Sequence, residues 1–455
     1  MPLPPSDDVS YTEPKPTDPV SFSVLCRPAS GVALQEFPAK LAAGDIRDLL
    51  PDKKECAEVS RRLKDLGFEV FDELWASPIV FARGPVALFE KVFKTTLVRM
   101  TRTSDADQVK RQTTGIVTRK GAPPPSTEPV KGAIQISLAP PPVLTEAVAT
   151  ASCLSLPDDV AHETNADDVH QERVRLRKAI GTGVTVAVVD TGFAKHPFFL
   201  SRSYHITRVA APDTSDPEID SDSHGTGVLA NLLTCAPGVH AYGVKFGYPH
   251  IGFAKAMSIA KVRVISISWM YEIDANPLPD YAVALEYLIE YAVLFMGITV
   301  VVASGNDAVG ETTPARLPHV IAVGGAVVVP SLQVWPRSTA FNSTVYGTRQ
   351  VPDLCGIAAG INVPEPPSGF RCRVGTSYAT PQVAGVASLL LQKNGTLTPS
   401  QVRNALVAHA TDIKTGAAVS GVGAINGHDD ATGGGLVNAL ASWQHVSAGP
   451  FWPWP

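Results

Sequence analysis

From about residue 173 onward, unbroken apolar runs alternate with longer helical stretches, and few folds tolerate that alternation. VTVAVVD, VRVISIS, ITVVVASG and HVIAVGGAVVV are strand-length and apolar at nearly every position. A strand facing solvent on one side would alternate apolar and polar residues. These do not, so both faces must be covered. Between them, HGTGVLANLLT and DYAVALEYLIEYAVLF read as helices. The order predicts an α/β fold, a mostly parallel sheet with helices on both faces. Ligands of such sheets bind at the carboxyl ends of the strands. No repeat of fixed period is visible.

The preceding part has a different texture. Residues 1–20 are Pro-rich and acidic and are expected to be a disordered tail. Residues 21–145 then read strand, helix, strand, strand, helix, strand. SFSVLCRP opens the series, and DKKECAEVSRRLKDLG is an amphipathic helix closed by Gly67. PVALFEKVFK is a short helix with Pro85 at its start, and either TTLVRM or GAIQISL supplies the last strand. This is the order of a small ferredoxin-like α+β domain. The polar, basic, Pro-rich stretch near 101–131 is expected to be an exposed loop within it, and 146–172 a linker. The α/β domain is then 173–447, and 448–455 form an aromatic tail.

The net charge of −5 and the absence of a basic run interleaved with aromatics argue against nucleic-acid binding. The N-terminus has neither a basic nor an apolar signal region, and the longest apolar run is too short to span a bilayer. The expectation is no membrane partner, and a location in the cytoplasm or export without an N-terminal signal. Six scattered cysteines without CxxC spacing argue against a disulfide-stapled scaffold or a zinc site.

Chemistry concentrates where strands end and helices begin. VTVAVVDTG ends in Asp190, DSHGTGVLANLL presents His224 on a Gly-flanked turn, ITVVVASGND ends in Asn306, and GTSYATPQVAG presents Ser377. Each has a plain structural reading: Asp and Asn are common turn residues, and Ser is a common helix N-cap. Together, in this order, they are hard to obtain by chance. Pro381 is tolerated only near the start of a helix, so that helix is expected to begin close to Ser377, with the hydroxyl at its positive end. His196, six residues after Asp190, is not expected to be catalytic.

The joint pattern resembles the subtilisin family of serine peptidases, whose order is Asp, His, Asn, Ser within DTG, HGT, GN and GTS-ATP motifs. The resemblance covers roughly 173–445, with LPHVIAVGGA and GGGLVNA matching further segments. It implies Ser377 as nucleophile, His224 as general base, Asp190 as the carboxylate that orients it, and Asn306 as oxyanion donor. It implies a polypeptide substrate and a serine endopeptidase. A peptide ligase or cyclase using the same acyl-enzyme, or a catalytically silent scaffold, are the alternatives. The first 145 residues loosely resemble the propeptides of such enzymes, so this chain's own N-terminal domain is expected to act as an intramolecular inhibitor or chaperone. FEKVFKTTLVRM is also similar to sedolisin propeptides.

The chain departs from the family at the substrate strand. Ser268, Trp269 and Met270 stand where Ser-x-Gly is usual, and Met270 is expected to narrow the pocket for the residue before the scissile bond. Ser304 and Gly305, which lead into Asn306, are expected to contact the substrate, and Asp307 or Glu311 is expected to place a carboxylate in that pocket and favour Lys or Arg. Tyr378 and Gln382 replace residues more often Met and His. No cofactor is expected. Calcium is common in the family, but no acidic cluster here identifies a site.

Overall fold

In the computed structural model, residues 8–106, 109–143, 147–148, 153–156, 158–174, 177–273 and 278–449 are described. The N-terminal domain is built on a four-stranded antiparallel sheet. Its strands are β1 (Pro19–Cys26), the short Glu69–Val70, β2 (Ile79–Pro85) and β3 (Ala133–Ser137), with β1 and β2 in the centre. Helices Lys53–Asp65 and Val86–Phe93 carry the crossovers, which gives the ferredoxin-like order. Phe22 packs edge-to-face on Phe68, Phe89 and Phe93 at the centre of its core, and Phe68 stacks on Phe93.

Three expectations for this half are corrected. The segment expected to be a tail forms a strand, Asp8–Thr12, paired antiparallel to Leu97–Ala106. Much of the stretch expected to be a loop is the hairpin of Leu97–Ala106 with Val109–Thr118. Its Thr, Arg and Gln residues are polar on both faces, which hid the strands. The expected linker contains helices Asp158–Glu163 and Ala166–Gln171, whose Val160, Ala166 and Val169 are buried in the core of the α/β domain. That domain therefore begins upstream of 173. The expected cut between linker and core has no physical counterpart at that point. Most of the aromatic tail lies outside the described residues.

The large sheet has the predicted character. Its order is Ile206–Ala210, His240–Lys245, β4 (Thr185–Asp190), β5 (Val262–Ile267), β6 (Thr299–Ala303) and β7 (Ile321–Val327), all parallel. Leu354–Ile357 extends it in parallel beyond β7, and Gln333–Val334 pairs antiparallel. Helices α1 (His224–Cys235) and α2 (Thr376–Lys393) cover one face. Pro249–Met257 and Asp280–Leu294 cover the other.

The N-terminal domain packs on that second helical pair. Leu25, Phe37, Ile46 and Phe81 share a buried cluster with Ile251, Phe253, Tyr287 and Leu288. Tyr287 Oη donates to the Leu49 carbonyl (2.7 Å), and Gln135 Nε2 donates to Asp280 Oδ1 (3.0 Å).

The cysteine reading also needs correction at one pair. Cys153 and Cys372 form a disulfide with Cα atoms 5.8 Å apart, across 219 residues of sequence. Spacing along the chain carries no signal of such a pair, because the fold alone brings the two segments together.

Candidate active site

Asp190 is the last residue of β4, and His224 and Ser377 lie in the first turns of α1 and α2. Asn306 lies three residues beyond the end of β6. The carboxyl ends of two strands flanking β5 and the N-termini of two helices on one face thus deliver the four side chains. All four are at most 2% exposed.

The two helices lie close enough for glycine to be required between them. A Cβ on Gly227 would sit 3.0 Å from Tyr378 Cε1, and one on Gly385 2.8 Å from Cys235 Cβ. Gln382 locks α2 from within: it bonds the Ile357 amide (2.9 Å) and carbonyl (3.0 Å), and Asn231 Oδ1 on α1 (3.1 Å). The departure at this position is therefore structural.

His224 Nδ1 lies 2.6 Å from Asp190 Oδ1. A carboxylate only accepts, so Nδ1 carries the proton, and a neutral imidazole holds its lone pair on Nε2. The Thr191 amide also donates to Asp190 Oδ1 (2.8 Å). The Thr191 hydroxyl donates to Asp220 Oδ1 (2.8 Å) and accepts from the Gly225 amide (3.3 Å). Asp220 Oδ2 accepts from the Thr226 amide (2.8 Å) and hydroxyl (2.6 Å).

Asp220 is thus a second buried carboxylate behind the His–Asp pair. Burial raises its pKa to about 6, and the neighbouring Asp190 charge pushes the same way, against the lowering effect of the Thr226 and Thr191 bonds. Sequence reading missed it. An acid four residues before a histidine has no pattern of its own, and only the path of the chain from Thr191 through Pro197–Leu200 and Ile206–Ala210 brings it beside Thr191.

Ser377 is held by reciprocal bonds. Its hydroxyl donates to the Ser268 carbonyl (3.0 Å), and the Ser268 hydroxyl donates to the Ser377 carbonyl (2.8 Å). The second bond has a cause in sequence. Pro381 has no amide hydrogen for the carbonyl four residues back, which is Ser377, and the Ser268 hydroxyl supplies the missing donor. The helix begins one residue before Ser377, as expected, and Pro381 is its sixth residue.

Asn306 Oδ1 accepts from the Thr376 amide (2.9 Å) and hydroxyl (2.7 Å). With its oxygen committed there, the carboxamide turns Nδ2 the other way. An Nδ2–H and the backbone amide of Ser377 are donors suited to an oxyanion.

The expected acidic pocket is not formed, and the preference for Lys or Arg loses its basis. Asp307 is bound by the Arg337 guanidinium, with Nη2 to Oδ2 at 2.6 Å and Nε to Oδ1 at 2.9 Å. Glu311 accepts from the Ser343 hydroxyl (2.9 Å) and from the Thr344 amide and hydroxyl (both 2.6 Å). Carboxylates with these partners are already satisfied. Their partners lie some 30 residues on, beyond what a local reading can see.

Trp269 is buried, its Nε1 donating to the Val189 carbonyl (3.1 Å), so only its backbone is available to a substrate. Ser304 is buried beneath the site, its carbonyl accepting from Thr312 Oγ1 (2.6 Å). His196 caps Pro197–Leu200 and bonds the Gly369 carbonyl, apart from the other four residues. Among the described residues, no group of three or more His, Cys, Asp or Glu is placed to hold a metal, and no helix is long and apolar enough to cross a membrane.

Met270 does not stand alone. Its amide and carbonyl form an antiparallel bridge with Val143, at 3.3 and 2.9 Å. Val143 follows the last strand of the N-terminal domain, so that domain's C-terminal extension reaches the segment after β5, two residues beyond Ser268.

A family model described as the Subtilase family matches residues 181–428, more than half of the chain. Subtilisin Savinase of Lederbergia lenta is 31% identical over 284 residues, covering 58% of this chain and 93% of that protein. M-protease of Shouchella clausii (strain KSM-K16) is also 31% identical over 284 residues, but this chain spans only 66% of its length. Among solved structures, MycP1 with its N-terminal propeptide removed is 20% identical, with a TM-score of 0.47, over 64% of this chain and 98% of that one. By the family model and this identity, the chain belongs to the subtilase family.

Proposed function

We propose that the protein is a serine endopeptidase whose nucleophile is Ser377. The observation that carries this reading is the 2.6 Å His224–Asp190 bond at the start of one helix, beside a second helix whose first turn carries Ser377. Ser377 Oγ attacks the scissile carbonyl and His224 Nε2 takes its proton. Asp190 stabilises the imidazolium. The negative charge moves to the carbonyl oxygen, where Asn306 Nδ2 and the Ser377 amide donate to it. Collapse expels the amine with the proton from His224, leaving an acyl-enzyme. Water, deprotonated by the same histidine, then releases the acid and restores Ser377.

The N-terminal domain is the enzyme's own restraint and first substrate in this reading. The Val143–Met270 bridge is the added-strand mode by which extended peptides bind a sheet edge. In a substrate strand paired antiparallel with Met270, the residue two positions after the one opposite Met270 faces Ser268, whose carbonyl accepts the Ser377 hydroxyl; counted along the sequence from Val143, that residue is Thr145. The first cut is then Thr145–Glu146.

The test is intact-mass spectrometry of the purified chain beside Ser377→Ala, with fluorophosphonate labelling. The wild type should be labelled and should yield a fragment ending at Thr145, while Ser377→Ala does neither. An unlabelled, uncut wild type sinks the peptidase reading. A labelled wild type cut elsewhere leaves that reading standing and removes the assignment of the site.

A further inference from the structure

The side chain of the residue before the scissile bond has a defined place to go. A substrate strand runs antiparallel to 268–270, as the segment at Val143 does. Its reacting carbonyl lies between Ser377, bonded to Ser268, and Asn306, bonded to Thr376. The attached side chain enters the gap between Ser268–Met270 and Ser304–Asn306.

That gap is already occupied. A Cβ on Gly305 would lie 3.1 Å from Met270 Sδ, 3.3 Å from its Cε and 3.2 Å from Thr339 Oγ1. The thioether therefore spans from one segment to the other. It is 1% exposed and clustered with Val143 and Ala308. Substrate binding displaces Val143, but Gly305, Ala308 and Thr339 remain to hold the side chain. Gly305 has a φ of +114°, so its backbone is not a conformation that other residues share. The pocket floor is fixed on one side by that glycine and on the other by a methionine. Neither nearby carboxylate reaches it, since Arg337 and the Ser343–Thr344 turn hold both.

Resting on the peptidase reading above, we infer that Met270 is a specificity-determining residue: it closes the pocket so that only small side chains, Ala, Ser or Thr, are accepted before the cut. A shortened pocket discriminates by steric exclusion, which is stronger than the loss of a single methylene contact. The residue proposed above for the chain's own cut, Thr145, is of this class.

The test uses the full-length protein and a set of peptides differing only in Ala, Thr, Leu, Phe or Lys before the cut, read by mass spectrometry, with fluorophosphonate labelling in parallel. The wild type should favour Ala over Phe in kcat/KM at least tenfold. Met270→Gly should shift that ratio toward Phe by tenfold or more. Met270→Ala, a milder change, should shift it in the same direction and serves if thermal melting shows Met270→Gly unfolded. A labelled wild type that prefers Phe, Leu or Lys overturns the inference, as does an Ala:Phe ratio unchanged in both folded variants. Either result leaves the peptidase reading intact. Absence of both labelling and cleavage removes that reading and the inference with it.

Discussion

Asp220 illustrates what a single residue behind a site can do. It binds the Thr191 hydroxyl and the Thr226 amide, and so ties the turn after Asp190 to the start of the helix that carries His224. It does this as a carboxyl whose pKa is raised to about 6 by burial and by Asp190. An acid raised in the folded state favours folding at low pH. That contribution is complete below its unfolded value near 3.8 and is lost as pH rises through about 6. The difference corresponds to at most about 3 kcal/mol. Asp220→Asn, made in the uncleavable Ser377→Ala background, loses about 1–3 kcal/mol at every pH from mispaired donors. It should then regain ground on its parent between pH 4 and pH 7. Denaturant melts at four pH values measure this. A stability difference that does not change with pH would mean Asp220 does not titrate in that window. No local pattern revealed this residue. Asp190, His224, Asn306 and Ser377 were legible because each interrupts apolar sequence at the point where a strand or helix boundary was already predicted. Asp307 and Glu311 were legible as acids but not as occupied acids, because Arg337 and the 343–344 turn reach them only in the fold.

At the scale of elements, the large sheet was the most readable part, since strands covered on both faces have no polar alternation to obscure them. The hairpin 97–118 and the strand 8–12 were unreadable for the opposite reason. The start of α1 shows how closely such elements must fit. A Cβ on Gly225 would lie 2.3 Å from the Gly192 carbonyl oxygen and 2.9 Å from Asp190 Cβ. Both obstacles sit on or beside the backbone after β4, so the helix itself must shift. His224 is the neighbouring residue, and a displacement of about 1 Å at a catalytic group can cost on the order of 10²-fold in rate. Gly225→Ala should therefore lose at least about 10²-fold in kcat/KM while remaining folded. Gly423→Ala, whose added Cβ meets only the Gly416 carbonyl oxygen at 3.8 Å, is the control and should behave as wild type. Equal activities in the two variants would mean that α1 moves without disturbing the His224–Asp190 bond.

For the whole molecule, what matters is which contacts survive a cut after Val143. The N-terminal domain is held to the subtilase domain non-covalently, by the cluster joining Phe37 and Phe81 to Phe253 and Tyr287 and by the Tyr287 and Gln135 hydrogen bonds. Tyr271 Oη adds a bond to the Pro140 carbonyl at 3.0 Å. The Cys153–Cys372 disulfide lies downstream of the proposed Thr145–Glu146 cut. It anchors the new N-terminus of the subtilase domain five residues before Ser377 and does not tether the released domain. Two consequences follow for the processed protein. The fragments should co-elute in native gel filtration, because the interface persists when one peptide bond is lost. Dithiothreitol should not separate them, whereas a denaturant should do so equally with and without reductant. An N-terminal fragment freed by denaturant only after reduction would place the cut beyond Cys153, inside the helices that pack into the domain core. In that case the Val143–Met270 pairing would not be the arrangement from which the chain processes itself.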